Sequence, residues 1–200
     1  MTLRKYIPST FLLLSVLFPF AANAYFINFD NLTDLDPVTT QFSGLGATFV
    51  NATVLAAGIS LNEFEFPPHS GANVVFDDSG PMTIDFSASV LSVGGYFTYL
   101  LPLTLTAYDS LSNVVATSGA SFTSNLALSG DPGSLSSEFL QVAFAGGISR
   151  LVIEGDPAGG TFTLDDLTVS PAAPVPEPGT FVLLAAGLAG LAGYRLRKKI

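Results

Sequence analysis

The chain has 200 residues, 48% of them hydrophobic and 12% charged, with sixteen acidic and seven basic side chains and a formal net charge of −9. The absence of cysteine excludes a disulfide scaffold, a thiolate zinc site and a cysteine nucleophile, and the single histidine argues against a Ser-His-Asp triad or a multi-histidine metal centre. The negative charge argues against nucleic acid as a partner, because phosphates require lysine and arginine.

The first 24 residues predict a secretory signal peptide. A basic start at Arg4 and Lys5 precedes an apolar stretch over 11–20, and the small residues Ala22 and Ala24 form a cleavage site. An uncleaved membrane anchor is the alternative, and the shortness of the apolar stretch counts against it. We therefore expect signal peptidase to cut after Ala24.

Residues 25–170 are predicted to form one all-β domain. Residues 25–174 contain fifteen acids, one arginine and no lysine, so an acidic exterior is expected. Runs rich in β-branched and aromatic residues, separated by Gly-, Pro- and Asp-containing turns, predict strands. The runs are 48–50, 73–76, 82–86, 90–99, 103–109, 113–117, 139–144, 149–153 and 161–169. Frequent short strands indicate an antiparallel β-sandwich or jelly roll of about 9–11 strands.

Two hairpins are expected in the middle of this domain. The run 90–99 is predicted to pair with 103–109 through a turn at 100–102, and 103–109 to pair with 113–117. The inward side chains are then Leu91, Val93, Gly95, Phe97, Tyr99, Leu103, Leu105 and Ala107. Tyr96 and Tyr108 fall on the outer face and are candidates for a sugar-stacking platform. The alternative is that they are ordinary exposed aromatic residues that shield a glycine.

The last predicted strand carries a candidate metal site. Phe162 faces one side of this strand, whereas the equally apolar Leu167 has the opposite parity, so the strand bulges or buries a carboxylate at Asp165-Asp166. A buried carboxylate without a lysine partner needs a metal ion or backbone N–H donors. One hypothesis is a structural Ca²⁺ held by Asp30 with Asp165 or Asp166. The other is a pair of solvated acids on an edge strand.

Two further features are predicted to be structural. Glu63 and Glu65 have the spacing of a glycosidase carboxylate pair on a strand, yet they flank Phe64 beside two prolines, so we expect a loop with exposed acids. His69 lies between those prolines and Gly71 and is expected to be a turn residue rather than a metal ligand or a catalytic group.

The C-terminal end has three parts of its own. A proline-rich linker over 171–179 precedes an apolar segment over 180–194, which is expected to form a short transmembrane helix. Its uninterrupted apolar core, residues 181–194, rises about 21 Å as a helix, short of a hydrocarbon layer of about 30 Å. The end at 195–200 carries the basic residues Arg195, Arg197, Lys198 and Lys199. These charges belong on the cytoplasmic side, with the β domain outside.

The linker motif makes a resemblance specific. Val175-Pro176-Glu177-Pro178, followed by a helix rich in small residues and a basic end, resembles the PEP-CTERM sorting signal, a tail also known as the ice-binding protein C-terminal domain. The resemblance implies an exported Gram-negative protein, anchored in the inner membrane facing the periplasm. An exosortase is then expected to process it near this motif, after which it reaches the cell surface or the medium. Such proteins typically accompany exopolysaccharide production.

The β domain is similar, more loosely, to the galactose-binding-like sandwiches of carbohydrate-binding modules. The matching parts are the opening Ile27-Asn28-Phe29-Asp30 and the closing run 162–167. The resemblance implies that the first and last strands come together and that their acids hold a structural Ca²⁺. The tryptophans that stack on sugars in that family are absent from this chain.

The expected function is therefore that of an exported, non-enzymatic β-sandwich that acts in or near an exopolysaccharide matrix. A carbohydrate-active enzyme and a glycan-binding module of the same fold are the alternatives. The lack of a persuasive acid/base pair counts against the enzyme. The two Thr-x-Thr pairs, 104/106 and 161/163, are too few for the flat repeated array of an ice-binding surface.

Overall fold

The computed structural model describes residues 23–172 and 186–188. The compact unit Ala22–Ala172 contains nine strands and a short 3-10 helix, Ser43–Leu45. The strands are β1 Tyr25–Ile27, β2 Ala47–Val50, β3 Ala52–Ala56, β4 Asn73–Asp77, β5 Met82–Tyr99, β6 Thr104–Tyr108, β7 Val114–Gly119, β8 Glu138–Glu154 and β9 Phe162–Pro171. Within the described ranges, no helix combines the length and the apolar character that crossing a membrane requires.

The strands form an antiparallel sandwich whose two layers share β5 and β8. One layer has the order β2, first half of β5, second half of β8, β6, β7. The other has the order β3, β4, β9, second half of β5, first half of β8, with β1 on β9 beyond the end of β4. The prediction of an all-β antiparallel sandwich is confirmed.

The two long strands pass from one layer to the other at irregularities in their pairing. The register between β5 and β8 shifts between the pairs Asp85–Arg150 and Val90–Ile148, and again before Ser92. Gly147 lies at this point of β8 with φ +97°, a conformation that a side chain at this position would disfavour. The predicted runs 82–86 and 90–99 are therefore halves of one bent strand, as are 139–144 and 149–153.

The space between the layers holds a continuous apolar core. Its largest fully buried side chains include Phe29, Phe97, Tyr99 and Phe162. Among the described residues, every buried side-chain nitrogen and oxygen has a hydrogen-bond partner. Since the core and its polar partners all belong to one unit, we infer that residues 25–172 fold as an autonomous domain.

The first predicted hairpin is wrong and the second is confirmed. The second half of β5 pairs with β8 and β9 and not with β6, so the turn at 100–102 carries the chain from one layer to the other. Strands β6 and β7 pair as predicted. The inward assignments hold for the expected residues except Leu91, which is 37% exposed.

Two strands escaped the sequence analysis. β1 is short, and the segment that forms β3 carries no alternating pattern because four of its five residues are buried. Tyr25 in β1 pairs with Val169 in β9, so the first and last strands come together as the resemblance implied.

Candidate functional site

Residues 69–73, a loop that runs into the first residue of β4, connect the three acids that were predicted as metal ligands. On one side, a carboxylate oxygen of Asp30 accepts hydrogen bonds from the backbone N–H groups of Ala72 at 2.8 Å and Asn73 at 3.1 Å. Gly71 lies against this carboxylate with φ +55°, and a Cβ there would approach its oxygens to 2.1 Å. A glycine is therefore required for the loop to reach Asp30.

The other side of the loop is held by the acid pair of β9. Asp165 accepts the backbone N–H of Ser70 at 2.9 Å, and Asp166 accepts the hydroxyl of Ser70 at 3.0 Å. The second oxygen of Asp166 lies 2.7 Å from Nδ1 of His69. The three acids thus fasten one loop, Asp30 from the turn after β1 and Asp165 and Asp166 from β9.

The predicted break in β9 is confirmed. The register against β5 shifts between the pairs Gly94–Thr168 and Tyr96–Asp165, and Asp166 takes a positive φ of 45°. Both alternatives that the sequence left open hold here, because the strand bulges and also buries the Asp165 carboxylate, which is 3% exposed. Burial raises the pKa of Asp165, and the N–H bonds from the loop partly oppose that shift.

The geometry favours backbone donors over a metal as partners of these acids. Asp165 accepts hydrogen bonds from two backbone N–H groups, those of Ser70 and of the next residue, Asp166. Among residues 23–172, no three histidine, aspartate or glutamate side chains gather into a group that could hold a metal ion. The calcium site of Asp30, Asp165 and Asp166 stays a prediction that no cluster of ligands supports.

Beside the loop lies a strip of aromatic rings on β5 and β8. The His69 ring stacks on Tyr96 with centroids 3.4 Å apart and planes 9° from parallel. Phe139, the cross-strand partner of Tyr96, packs against that ring at 5.1 Å and is 44% exposed. The hydrogen bond to Asp166 fixes the plane of His69, so the rings form one partly exposed apolar surface.

The strip borders a groove, which we call the Tyr96 groove, with a volume of about 440 Å³. Its lining residues come from β1 and the residue before it, the loop, β5 and β9, namely Ala24, Tyr25, Phe26, Ser70, Tyr96, Asp166 and Thr168. Gly94 lies opposite Thr168, and a Cβ on it would approach the Leu140 carbonyl oxygen to 2.7 Å. The groove combines aromatic surface with hydroxyl and carboxylate groups, the composition of a site for a small polar ligand with apolar faces.

The predicted Tyr96–Tyr108 platform does not form. Tyr108 lies in β6, in the other layer, where its backbone pairs with Arg150 and Val114. Arg150, the single arginine of the domain, bonds to Asp85 at 2.6 Å, with both side chains partly exposed. Tyr96 instead has His69 and Phe139 as its aromatic neighbours.

Another buried acid has a structural role. Asp77 is fully buried at the end of β4, where one oxygen accepts the N–H groups of Thr161 and Phe162 at 2.9 and 3.0 Å. Burial raises the pKa of Asp77, and these bonds partly offset it. Glu65 also serves the fold, because it accepts the N–H groups of Leu128 and Ser129. The loop predicted for Glu65 is confirmed.

Sequence reasoning missed His69 and Phe139 as parts of the site. A histidine in a proline-rich turn gives no sign of its spatial partners, since its ring reaches Tyr96 and Asp166 only after the loop packs on β9. Phe139 was assigned to a strand without a partner. The alternation of residues along this strand was a signal that Phe139 faces outward, but the sequence did not show which strand pairs with it.

Apart from Ala24, the processing and sorting residues lie outside the described residues. These are the signal-peptide residues through Ala22, the motif Val175, Pro176, Glu177 and Pro178, and the basic residues Arg195, Arg197, Lys198 and Lys199. Of the helix expected over 180–194, residues 186–188 are described and are helical.

Comparison with known families identifies the C-terminal tail. Residues 174–198 match the model of the PEP-CTERM protein-sorting motif. The resemblance predicted from the Pro-Glu-Pro sequence is thereby confirmed, and the motif marks an exported, exosortase-sorted cell-surface protein. No curated protein matches the chain.

Solved structures similar to the β domain include adhesin and carbohydrate-binding domains. The K1 cleaved adhesin domain of Lys-gingipain from Porphyromonas gingivalis W83 is 8% identical with a TM-score of 0.44, over 76% of this chain and 99% of that one. The carbohydrate-binding module CBM35 from Paenibacillus barcinonensis is 19% identical with a TM-score of 0.38, over 75% and 99%. Similarity at this level identifies no ligand or activity for this chain.

Proposed function

We propose that this protein is secreted through its signal peptide, sorted by an exosortase through its tail, and acts without catalysis in or near an exopolysaccharide matrix. The observation that carries the proposal is the sorting motif at 174–198. The β domain is the part that remains after both ends are removed, and it contains the buried core residues, from Ile27 to Val169, that the structure describes.

The assignments of the acids support a non-enzymatic role. Glu65, Asp77 and Asp165 accept backbone N–H groups that fix loops and strand ends. A carboxylate that holds the fold in this way is a poor general acid or base, because moving its proton removes a structural partner. Binding or display fits these residues better than hydrolysis does.

The processing test is mass spectrometry of the protein secreted by its native host. We expect a species that lacks residues 1–24 and ends near Pro176–Pro178. Replacing Pro176, Glu177 and Pro178 together by alanine should abolish the C-terminal cut, while Pro174→Ala, which leaves the Pro176-Glu177-Pro178 sequence intact, should not. Secretion of a full-length species that still carries residues 195–200 would contradict the sorting part of the proposal.

Glycan binding in the Tyr96 groove is a second candidate, favoured by the aromatic strip beside it. Sugars present C–H faces that stack on aromatic rings, together with hydroxyl groups that bond to carboxylates and hydroxyls. His69 and Phe139 supply partly exposed rings, and Ser70, Asp166 and Thr168 supply polar groups at the same place.

The glycan test uses residues 25–172 with the exopolysaccharide of the native host as the probe. The double variant Tyr96→Ala/Phe139→Ala should weaken binding by about tenfold or more, since each aromatic contact contributes about 0.5–1.5 kcal/mol beyond its buried area. Phe64→Ala, which removes an exposed ring outside the strip, is the matched control. Binding without release of reducing ends supports a module, and turnover would favour the enzyme.

A further inference from the structure

The predicted signal-peptide cleavage site lies in the wall of the Tyr96 groove. Ala24 and Tyr25, the residues on either side of the bond, both line the groove together with Tyr96 and Asp166. Because both neighbours of the bond face the groove, cutting it changes the wall itself. The precursor presents a peptide bond there, and the mature chain presents a free amino group.

The new chain end is held in place by the sheet. Tyr25 pairs with Val169 and Phe26 with Thr168, so strand pairing begins at the first residue of the mature chain. The Tyr25 hydroxyl also donates to the Leu45 carbonyl oxygen at 2.7 Å. An amino terminus fastened on both sides in this way is ordered, unlike the frayed ends of most domains.

The amino group also brings an amine cation, a group that no lysine supplies in this domain. Among residues 25–172 the sequence has no lysine and one arginine, Arg150, whose partner Asp85 lies in the other layer. An α-amino group with an ordinary pKa of about 7.7–8.0 is mostly protonated at pH 7. Cleavage therefore adds a hydrogen-bonding cation to a groove that Ser70, Thr168 and Asp166 also line.

We propose that the mature Tyr25 amino group is a binding group of the Tyr96 groove and contacts the hydroxyl and ring oxygens of a saccharide stacked on the aromatic strip. Removal of the signal peptide then completes the site, so the exported protein binds more tightly than the precursor. This inference rests on glycan binding in the groove and on cleavage after Ala24.

The chain offers an unusually selective probe of this amino group. Residues 25–172 contain no lysine, so reductive ¹³C-methylation labels the Tyr25 nitrogen alone and retains its charge. In the unliganded domain, we expect Tyr96→Ala to shift the dimethylamine resonance, because the Tyr96 ring current is lost. The control Phe64→Ala removes an aromatic ring outside the groove and should leave the resonance unchanged.

Three forms of the domain test the binding role with host exopolysaccharide as the probe. Compared with residues 25–172, the N-acetylated form should bind about tenfold more weakly or worse, since a hydrogen bond to a charged group contributes about 1.5–3 kcal/mol. Residues 23–172, whose amino group is displaced by two residues or about 7 Å, should lose affinity similarly.

The outcomes separate this inference from the proposed function. If all three forms bind equally, the inference is overturned while glycan binding stands. The same holds if Tyr96→Ala leaves the chemical shift of the dimethylamine resonance unchanged. If no form binds the polysaccharide, the glycan function and the binding role of the amino group both fail. In that case a resonance shift with Tyr96→Ala would still place the chain end in the groove.

Discussion

Asn125 is the buried side chain on which the loop after β7 depends. Its side chain is fully buried, and its Oδ1 accepts the N–H of Tyr99 at 2.6 Å. Its Nδ2 donates to the carbonyl oxygens of Phe97 at 2.9 Å and Leu135 at 3.1 Å. This one buried amide thus makes hydrogen bonds to three backbone groups. It fastens the loop to the end of β5.

Asn125→Ala should therefore be strongly destabilising. It leaves one N–H and two carbonyl groups without partners, and each buried orphan costs about 1–3 kcal/mol. Taking the lower part of that range, because water enters part of the gap, we expect a loss of about 3–5 kcal/mol from the free energy of unfolding. For a domain of this size, that loss lowers the melting temperature by about 10 °C.

Asn125→Asp tests the same contacts without changing the size of the side chain, because it replaces the donating NH₂ group by an oxygen that can only accept. The carboxylate still accepts the N–H of Tyr99 but faces two carbonyl oxygens, so it should be at least as damaging as alanine at pH 7. Protonation restores one donor, so its deficit should shrink toward pH 4. Urea unfolding of residues 25–172, followed by circular dichroism at both pH values, measures these differences.

The control is Asn113→Ala, which removes an exposed amide bonded to Asp109. We expect it to change the free energy of unfolding by less than about 0.5 kcal/mol. If Asn125→Ala cost less than about 1 kcal/mol, or if Asn125→Asp showed no dependence on pH, the three hydrogen bonds would not carry the loop and the reasoning would be refuted.

Two further predictions concern backbone strain and pH. Gly71→Ala should lower the free energy of unfolding, measured in urea, by at least about 2 kcal/mol, because residue 71 has a left-handed backbone conformation and its new Cβ would clash with the Asp30 carboxylate. Gly133→Ala, at φ +86° with open space around it, should show the conformational cost alone. Because burial raises the pKa of Asp77 in the folded state, its contribution to stability is fully present below the ordinary value of 3.8 and is lost as pH rises through the folded-state pKa. The stability of Asp77→Asn should therefore fall less steeply than wild type over that window. Asp109, whose pKa its hydrogen bonds with Asn113 lower, should contribute with the opposite sign.

Two results would contradict these predictions. Equal costs for the two glycine variants would mean that the loop does not need its close approach to Asp30. A pH profile of Asp77→Asn parallel to wild type would mean that the carboxyl group does not titrate in the fold as its burial requires. The amide can take over the bonds of Asp77, because one oxygen accepts both N–H groups and the other meets only the Thr161 hydroxyl.

The sequence pointed to several residues of the candidate site but not to their arrangement in space. The break at Asp165-Asp166 was visible because the parity of apolar residues changes there, and parity is a local property. That Asp30 lies near this pair followed from the family resemblance. The role of the loop between them was hidden, since nothing in residues 69–73 indicates that their N–H groups donate to Asp30 on one side and to Asp165 on the other.

The sequence by itself determined the class of fold, the sorting motif of the tail and, with the exception of Leu91, the predicted side chains that face the core. Alternation and turn residues are local, and so is the β6–β7 hairpin, whose five-residue turn leaves the chain no other partner nearby. The tertiary structure decided which strands are neighbours. Leu103 and Leu105 are buried whether β6 lies beside β5 or across the sandwich from it, because both layers share one core, so the pattern could not distinguish the two arrangements. Only the pairing of β5 with β8 and β9 on its two edges excluded β6. The pairing of β9 with both β5 and β1 also brought Tyr96, Asp166 and Tyr25 together in one groove.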